Sequence, residues 1–136
     1  LALAAPTPPA GSFDPAAAAR GDELFSGKAK CSTCHVEPLW TEPGWNLHTP
    51  SEIGIDAFQA DRAPDHRYRT APLAGLWTHN NPSRNAIGLH SVHQGAFYHD
   101  GRFPRLRDVI NHYNNLFHLG LTDAEKHDLA EYVKSL

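Results

Sequence analysis

Five consecutive residues, Cys31-Ser32-Thr33-Cys34-His35, constrain this 136-residue chain more than any other feature. Two thiols separated by two residues can bond the two vinyl groups of one porphyrin, and the adjacent histidine then lies beneath the iron. A structural zinc site would need two further ligands at short spacing, and the chain has no third cysteine. A thioredoxin-like pair would close a buried strand in an alternating β/α pattern, whereas the flanks here are rich in Ala, Gly and Lys. The expectation is one covalent haem c, held by Cys31 and Cys34, with His35 as the proximal ligand.

The chain contains no methionine. The thioether that commonly completes the iron of electron-carrying cytochromes c must therefore be replaced by histidine, tyrosine, lysine, an amino terminus, water or a partner's residue. Nine of the ten histidines remain after His35, and neutral imidazole is a good sixth ligand. Among them His99, His93, His90 and His48 stand in segments that could reach the iron.

The length suits one domain, and a 40% hydrophobic content is modest for it. A covalent porphyrin adds a large apolar plate, which lets a small helical domain close around it. The net charge of −3 grows more negative with two haem propionates, and no Lys/Arg run is dense enough to follow a phosphate backbone. Nucleic acid is therefore not an expected partner. No run of 18 apolar residues predicts a membrane span. Thioether attachment of haem takes place outside the bacterial cytoplasm, so the periplasm or cell exterior is the expected compartment. Leu1 to Pro6 reads as the end of an export signal or as a linker from a larger parent protein.

Residues 1–13, rich in Ala and Pro, read as an extended or disordered leader, and 14–136 as the haem domain. Asp14-Pro15 supplies a helix cap and a first-turn proline ahead of Ala16 to Phe25. From Pro38 to Pro82, Pro, Gly, Trp, Asp and His dominate, with only a short helical turn expected around Ser51 to Phe58; this stretch is read as wrapping the porphyrin. Trp40, Trp45 and Trp77 are expected to pack in the core. After Gly101, with Pro104 in the first turn, Leu106, Val109, Ile110 and Tyr113 fall at i, i+3, i+4 and i+7. At about 100° per residue Tyr113 faces inward, while His112 points some 120° away. A capping box, Thr122 to Glu125, opens a last helix whose buried face is Leu129, Tyr132, Val133 and Leu136, expected to pack across the first.

In this order, Arg20-Gly21 through Cys34-His35, Tyr68-Arg69-Thr70-Ala71-Pro72-Leu73, Phe97-Tyr98-His99-Asp100-Gly101, and Leu106 to Leu136 resemble the carboxy-terminal haem domain of bacterial dihaem cytochrome c peroxidases and MauG-type proteins. The likeness covers residues 14 to 136. It implies an all-α, class I cytochrome c-like fold around the haem. It also implies that Pro72 and Leu73 pack near His35, where a backbone carbonyl holds the imidazole's far N–H, and that Tyr98 and His99 lie beside the haem. By the same resemblance Tyr113 stands where the peroxidases have a methionine ligand and MauG-type proteins a tyrosine. A core tyrosine bonded to a propionate or a carbonyl is the other reading of that residue.

The chain departs from the peroxidases in having a single Cys-x-x-Cys-His, and Asn80 to Gln94 reads as added length. His90 and His93 near His99-Asp100 are weak evidence for a second metal, and none is expected. Arg69 and Arg102 are candidate propionate partners on charge grounds.

Two functional classes follow. In the first, both axial positions are filled by protein and the domain is an electron-transfer module whose redox protein partners dock at the haem edge. In the second, the sixth position is open or labile, and the haem is peroxidase-like or binds small ligands, with His99 or Asp100 moving protons; it could then be one domain of a larger multi-haem enzyme.

Overall fold

In the computed structural model, residues 7–77 and 97–136 are described. Helix α1 (Pro15–Ser26) starts where the Asp14-Pro15 pair predicts. Asp14 Oδ1 accepts from the backbone N–H groups of Ala16 and Ala17 at 2.8 and 3.2 Å, and proline's missing donor costs nothing at that position. Lys30, in the left-handed region at φ 56°, then turns the chain into a 3-10 turn, Cys31–Thr33. A short α2 (Pro50–Ile53), capped by Thr49 and Glu52, answers the helical turn expected near Ser51. Helices α3 (Leu106–Leu116) and α4 (Asp123–Ser135) follow, the latter opened by the Thr122/Glu125 box.

Helix α3 begins later than the sequence suggests. Arg105, not Pro104, is its cap, because the Asp108 carboxylate accepts from both the Arg105 backbone N–H and its guanidinium. A two-residue antiparallel ladder, β1 (Leu47–His48) with β2 (Tyr68–Arg69), pairs Leu47 with Arg69 and His48 with Tyr68. A second 3-10 turn spans Ala60–Arg62. No periodicity announced either, since two or three residues carry none. The described elements are thus predominantly helical, with one very small sheet, and none of the described helices is long and apolar enough to cross a membrane.

Helices α1 and α4 cross at Gly21. A Cβ there would lie 2.1 Å from the Asp128 carbonyl oxygen and 2.7 Å from Tyr132 Cβ, so the backbones meet at a separation only glycine permits. Ion pairs border the crossing: the Arg20 guanidinium donates twice to Asp128, each bond at 2.7 Å, and Lys28 bonds Glu125 at 2.7 Å. The core gathers Phe25 and Ala29 with Leu106, Ile110, Leu121, Leu129, Ala130 and Val133, so it is built by α1, α3 and α4. From the long loop region, Trp40, Leu73 and Leu76 pack against it.

Two side-chain expectations are corrected. Trp45 is 90% exposed, not in the core, because it follows the Pro43-Gly44 turn, with Gly44 at φ 69°, on the outside of the loop. His112 is half-buried, not turned to solvent: its Nε2 bonds the Ile53 carbonyl at 2.8 Å, and its ring meets Tyr98, Phe103 and Tyr113. Helix α2 and Gly54 cover that side of α3, so both flanks of the helix are occupied. Asn80 to Gln94, with His90 and His93, lies outside the described residues.

Gly21→Ala gains about 1 kcal/mol of helix propensity, but overpacking against a backbone oxygen costs about 3 kcal/mol. The net expectation is a loss of about 2 kcal/mol, read as a Tm lower by about 4–8 °C; an unchanged Tm would place the helices farther apart than described. A second expectation concerns acid. Lys28 first, then the Thr122 backbone N–H, hold the Glu125 carboxyl down from its ordinary 4.5 to about 2, and Arg20 holds Asp128 below its ordinary 3.8. A depressed carboxyl stabilises the fold above its ordinary value and loses that contribution as pH falls through the depressed one. The Tm should therefore be level down to about pH 5 and fall between about 4.5 and 2, and Glu125→Gln should flatten that limb.

Candidate haem site

His35 sits two residues past the 3-10 turn, its backbone N–H bonded to the Cys31 carbonyl at 2.9 Å, so both cysteines and the histidine are held within a single tight turn. Its Nδ1 donates to the Trp40 carbonyl at 2.8 Å. A carbonyl can only accept, so Nδ1 carries the proton and Nε2 keeps its lone pair. Burial lowers the His35 pKa below its ordinary value, keeping the ring neutral. A neutral imidazole with Nδ1–H bonded and Nε2 free is the form that ligates a metal.

The Trp40 carbonyl also accepts the Leu73 N–H at 3.3 Å, while Thr41 Oγ1 donates to the Thr70 carbonyl at 2.6 Å. Residues 70–73 therefore run beside 40–41, which brings Pro72 and Leu73 to the loop that holds His35. Pro72 itself is exposed, Leu73 packs toward the core, and the carbonyl bonded to Nδ1 comes from Trp40.

Cys31 and Cys34 are half-buried and not bonded to each other. Burial pushes the Cys31 thiol up to about 11 and raises Cys34 as well. Neutral thiols of this kind lack the depressed pKa of a redox-active Cys-x-x-Cys. Tyr113, on α3, is raised above the ordinary phenol value by burial first, and the Cys34 and Cys31 thiols act on it in the same direction. Tyr98, held at φ 69°, places its hydroxyl beside Tyr113; burial and then Tyr113 drive its pKa far upward. That hydroxyl is buried with no hydrogen-bond partner. Buried polar groups are normally satisfied, so an orphan beside Tyr113 marks space for a group with acceptors. The donor set and the orphan together fit a covalent haem.

The other sequence candidates are engaged elsewhere. His48 bonds the buried Glu42 at 2.5 Å, and Glu42 also accepts from Thr70 Oγ1 at 2.5 Å. His99 is stacked between Phe58 and Tyr68, with ring centroids 6.5 and 6.0 Å away, and its Nε2 faces Asp56 at 3.4 Å. Arg102 bonds both Asp56 and Asp100, and it holds the Asp100 carboxyl down to about 2. Arg69 donates to the Gly44 carbonyl at 2.9 Å. His93 lies outside the described residues.

Two clusters were not legible beforehand: Cys34, Glu42 and His48, and Asp56, His99 and Asp100, each with donor atoms within 4.8 Å of one another. Glu42 is a lone acid in an aperiodic loop, so nothing in the sequence signals its burial. In the second cluster Arg102 already compensates both carboxylates.

Two known proteins match the chain in sequence. The chain is 28% identical, over 89% of its length, to cytochrome-c peroxidase IdrP1 of Denitromonas iodatirespirans. It is 23% identical, over 88% of its length, to methylamine utilization protein MauG of Methylorubrum extorquens. The matches span 40% and 34% of those relatives. No protein-family model and no solved structure matches the chain.

Because the Tyr98 hydroxyl has no partner, Tyr98→Phe should leave the haem-free chain equally stable, or more stable by up to about 1–3 kcal/mol. A loss of that size in thermal or urea unfolding would show that the hydroxyl is satisfied.

Proposed function

We propose that this domain binds one haem c through thioethers from Cys31 and Cys34, with His35 on the proximal side, and serves as an electron-transfer module outside the cytoplasm. The observation that carries the reading is the His35 Nδ1–Trp40 carbonyl bond inside a Cys-x-x-Cys-His turn, which leaves Nε2 free. When bound, the haem supplies a one-electron ferric/ferrous couple. The chain's part is to orient His35, keep it neutral, and close the distal side with α3.

Tyr113 is the proposed sixth ligand, supported by its half-buried place on α3 and by the resemblance to MauG-type proteins, which have a tyrosine there. The neighbouring Tyr98 hydroxyl can donate to the Tyr113 oxygen and so stabilise it as an anion. A tyrosinate favours ferric iron, so the potential should lie below that of a His/Met carrier. His48 and His99 rank behind it because His48 is held by its Nε2 at the buried Glu42 and His99 is stacked between Phe58 and Tyr68 with its Nε2 on Asp56. Redox partners would meet the domain at the haem edge. The chain is read as a carboxy-terminal haem domain from the order of its motifs, and the partial coverage of both relatives supports a larger parent protein.

The name of the first relative favours a second reading, in which the sixth position is labile and the haem reacts with peroxide. In that case His99 is the proton-moving candidate, because Asp100, held at about 2 by Arg102, stays ionised at neutral pH.

Electron paramagnetic resonance of the ferric protein separates the two: a low-spin signal is expected for the electron carrier, and a dominant high-spin signal would transfer the assignment to peroxide chemistry. Tyr113→Phe should change the ferric spectrum strongly, and an unchanged spectrum would remove Tyr113 from the iron. Cys31→Ser with Cys34→Ser should yield a chain from which haem is lost on denaturation; retention would overturn the attachment.

A further inference from the structure

Three acids are buried among the described residues: Glu42, Asp128 and Glu131. Asp128 is paired with Arg20 and Glu131 with Lys134. Glu42 differs, because its partner is an imidazole and a hydroxyl: its carboxylate accepts from Thr70 Oγ1 and meets His48 Nε2, both at 2.5 Å. Burial works against its charge, but the bonds from Thr70 and His48 outweigh burial and bring the Glu42 carboxyl below its ordinary 4.5. It is therefore an anion at neutral pH, enclosed in the fold without a guanidinium or ammonium beside it.

The place of that anion is fixed. Thr70 Oγ1 bonds the Glu42 side chain while Thr41 Oγ1 donates to the Thr70 carbonyl at 2.6 Å, so two bonds of opposite direction lock residues 41–42 against residue 70. One Glu42 carboxylate oxygen also lies within 4.8 Å of the Cys34 sulfur. Cys34 is the proposed second anchor of the porphyrin and is followed directly by His35, so the charge stands at a point where the haem joins the chain.

We infer that Glu42 tunes the redox centre: its fixed negative charge beside Cys34 favours ferric over ferrous iron and sets the potential low. The inference rests on the proposed haem reading. In the one-electron step a reduced partner protein gives up one electron, the iron takes it and passes from ferric to ferrous, and no bond breaks and no proton moves. The centre gains one negative charge. A carboxylate held close by, where screening is weaker than in water, opposes that gain by Coulomb repulsion. The effect adds to that of a tyrosinate ligand and does not need one, since it acts on the iron's charge whatever fills the sixth position. His48 and Thr70 are its positioning residues, keeping the carboxylate ionised and turned inward.

The test is a spectroelectrochemical titration of the haem-loaded full chain at about pH 8, where an imidazole is ordinarily neutral, with a ferric electron paramagnetic resonance spectrum of each variant. Glu42→Gln keeps the size and most of the hydrogen bonding, and should move the ferric/ferrous equilibrium about tenfold toward ferrous iron, a rise in potential of about 59 mV for one electron. Glu42→Asp keeps the charge and should move it less than about threefold, as should Asp61→Asn, which removes an exposed acid. An unmoved potential in Glu42→Gln overturns the role, and so do equal shifts in the two Glu42 variants. A shift accompanied by an altered ferric spectrum belongs to the axial ligands and overturns it as well. Where Glu42→Gln fails to hold haem, Glu42→Leu with His48→Leu replaces the buried pair by apolar side chains, a change that folds often tolerate; the same rise is expected there, and its absence overturns the role. Covalent attachment is read separately on a denaturing gel. Haem missing from the wild type overturns the haem reading and this role with it, whereas haem present with an unmoved potential overturns the role alone.

Discussion

One carbonyl organises the surroundings of His35. The Trp40 oxygen accepts the His35 Nδ1–H and the Leu73 N–H, so a single backbone group fixes the imidazole's tautomer and ties two distant loop segments together. Without it the ring could rotate, and residues 70–73 would lose a contact to the loop at 40–41. The Trp40 side chain, meanwhile, reaches Tyr132 on α4, which links the histidine's support to the helical frame.

That frame depends on close approach at Gly21. Because α1 and α4 touch backbone to backbone, Phe25 and Tyr132 can pack at 5.1 Å, and Phe25 in turn lies 6.3 Å from His35. Helix position is thus transmitted to the motif through two aromatic rings. The buried acids Asp128 and Glu131 add orientation more than stability: each is paired, with Arg20 and with Lys134, and a partly exposed pair contributes little beyond fixing geometry.

On the other side, Tyr98, Phe103, His112 and Tyr113 form a continuous aromatic cluster. The Asp56–Arg102–Asp100 ion pairs, with His99 stacked beside them, tether the 97–103 turn to the 56–58 loop. The cluster is satisfied almost throughout; the exception is the Tyr98 hydroxyl, which stands beside Tyr113.

Much of this was legible from local rules. Asp14-Pro15 and Thr122/Glu125 set helix starts because capping needs only a few neighbouring residues. The 3.6-residue period put Leu106, Ile110, Leu129 and Val133 in the core. It misjudged His112, because a helix flanked on two sides buries residues that a one-sided pattern exposes, and it could not see that Trp45 lies outside. Which carbonyl holds His35 and that Glu42 is buried between His48 and Thr70 were decided by tertiary structure alone. Each depends on residues brought together from separate elements, and sequence patterns report neighbours along the chain, not across space.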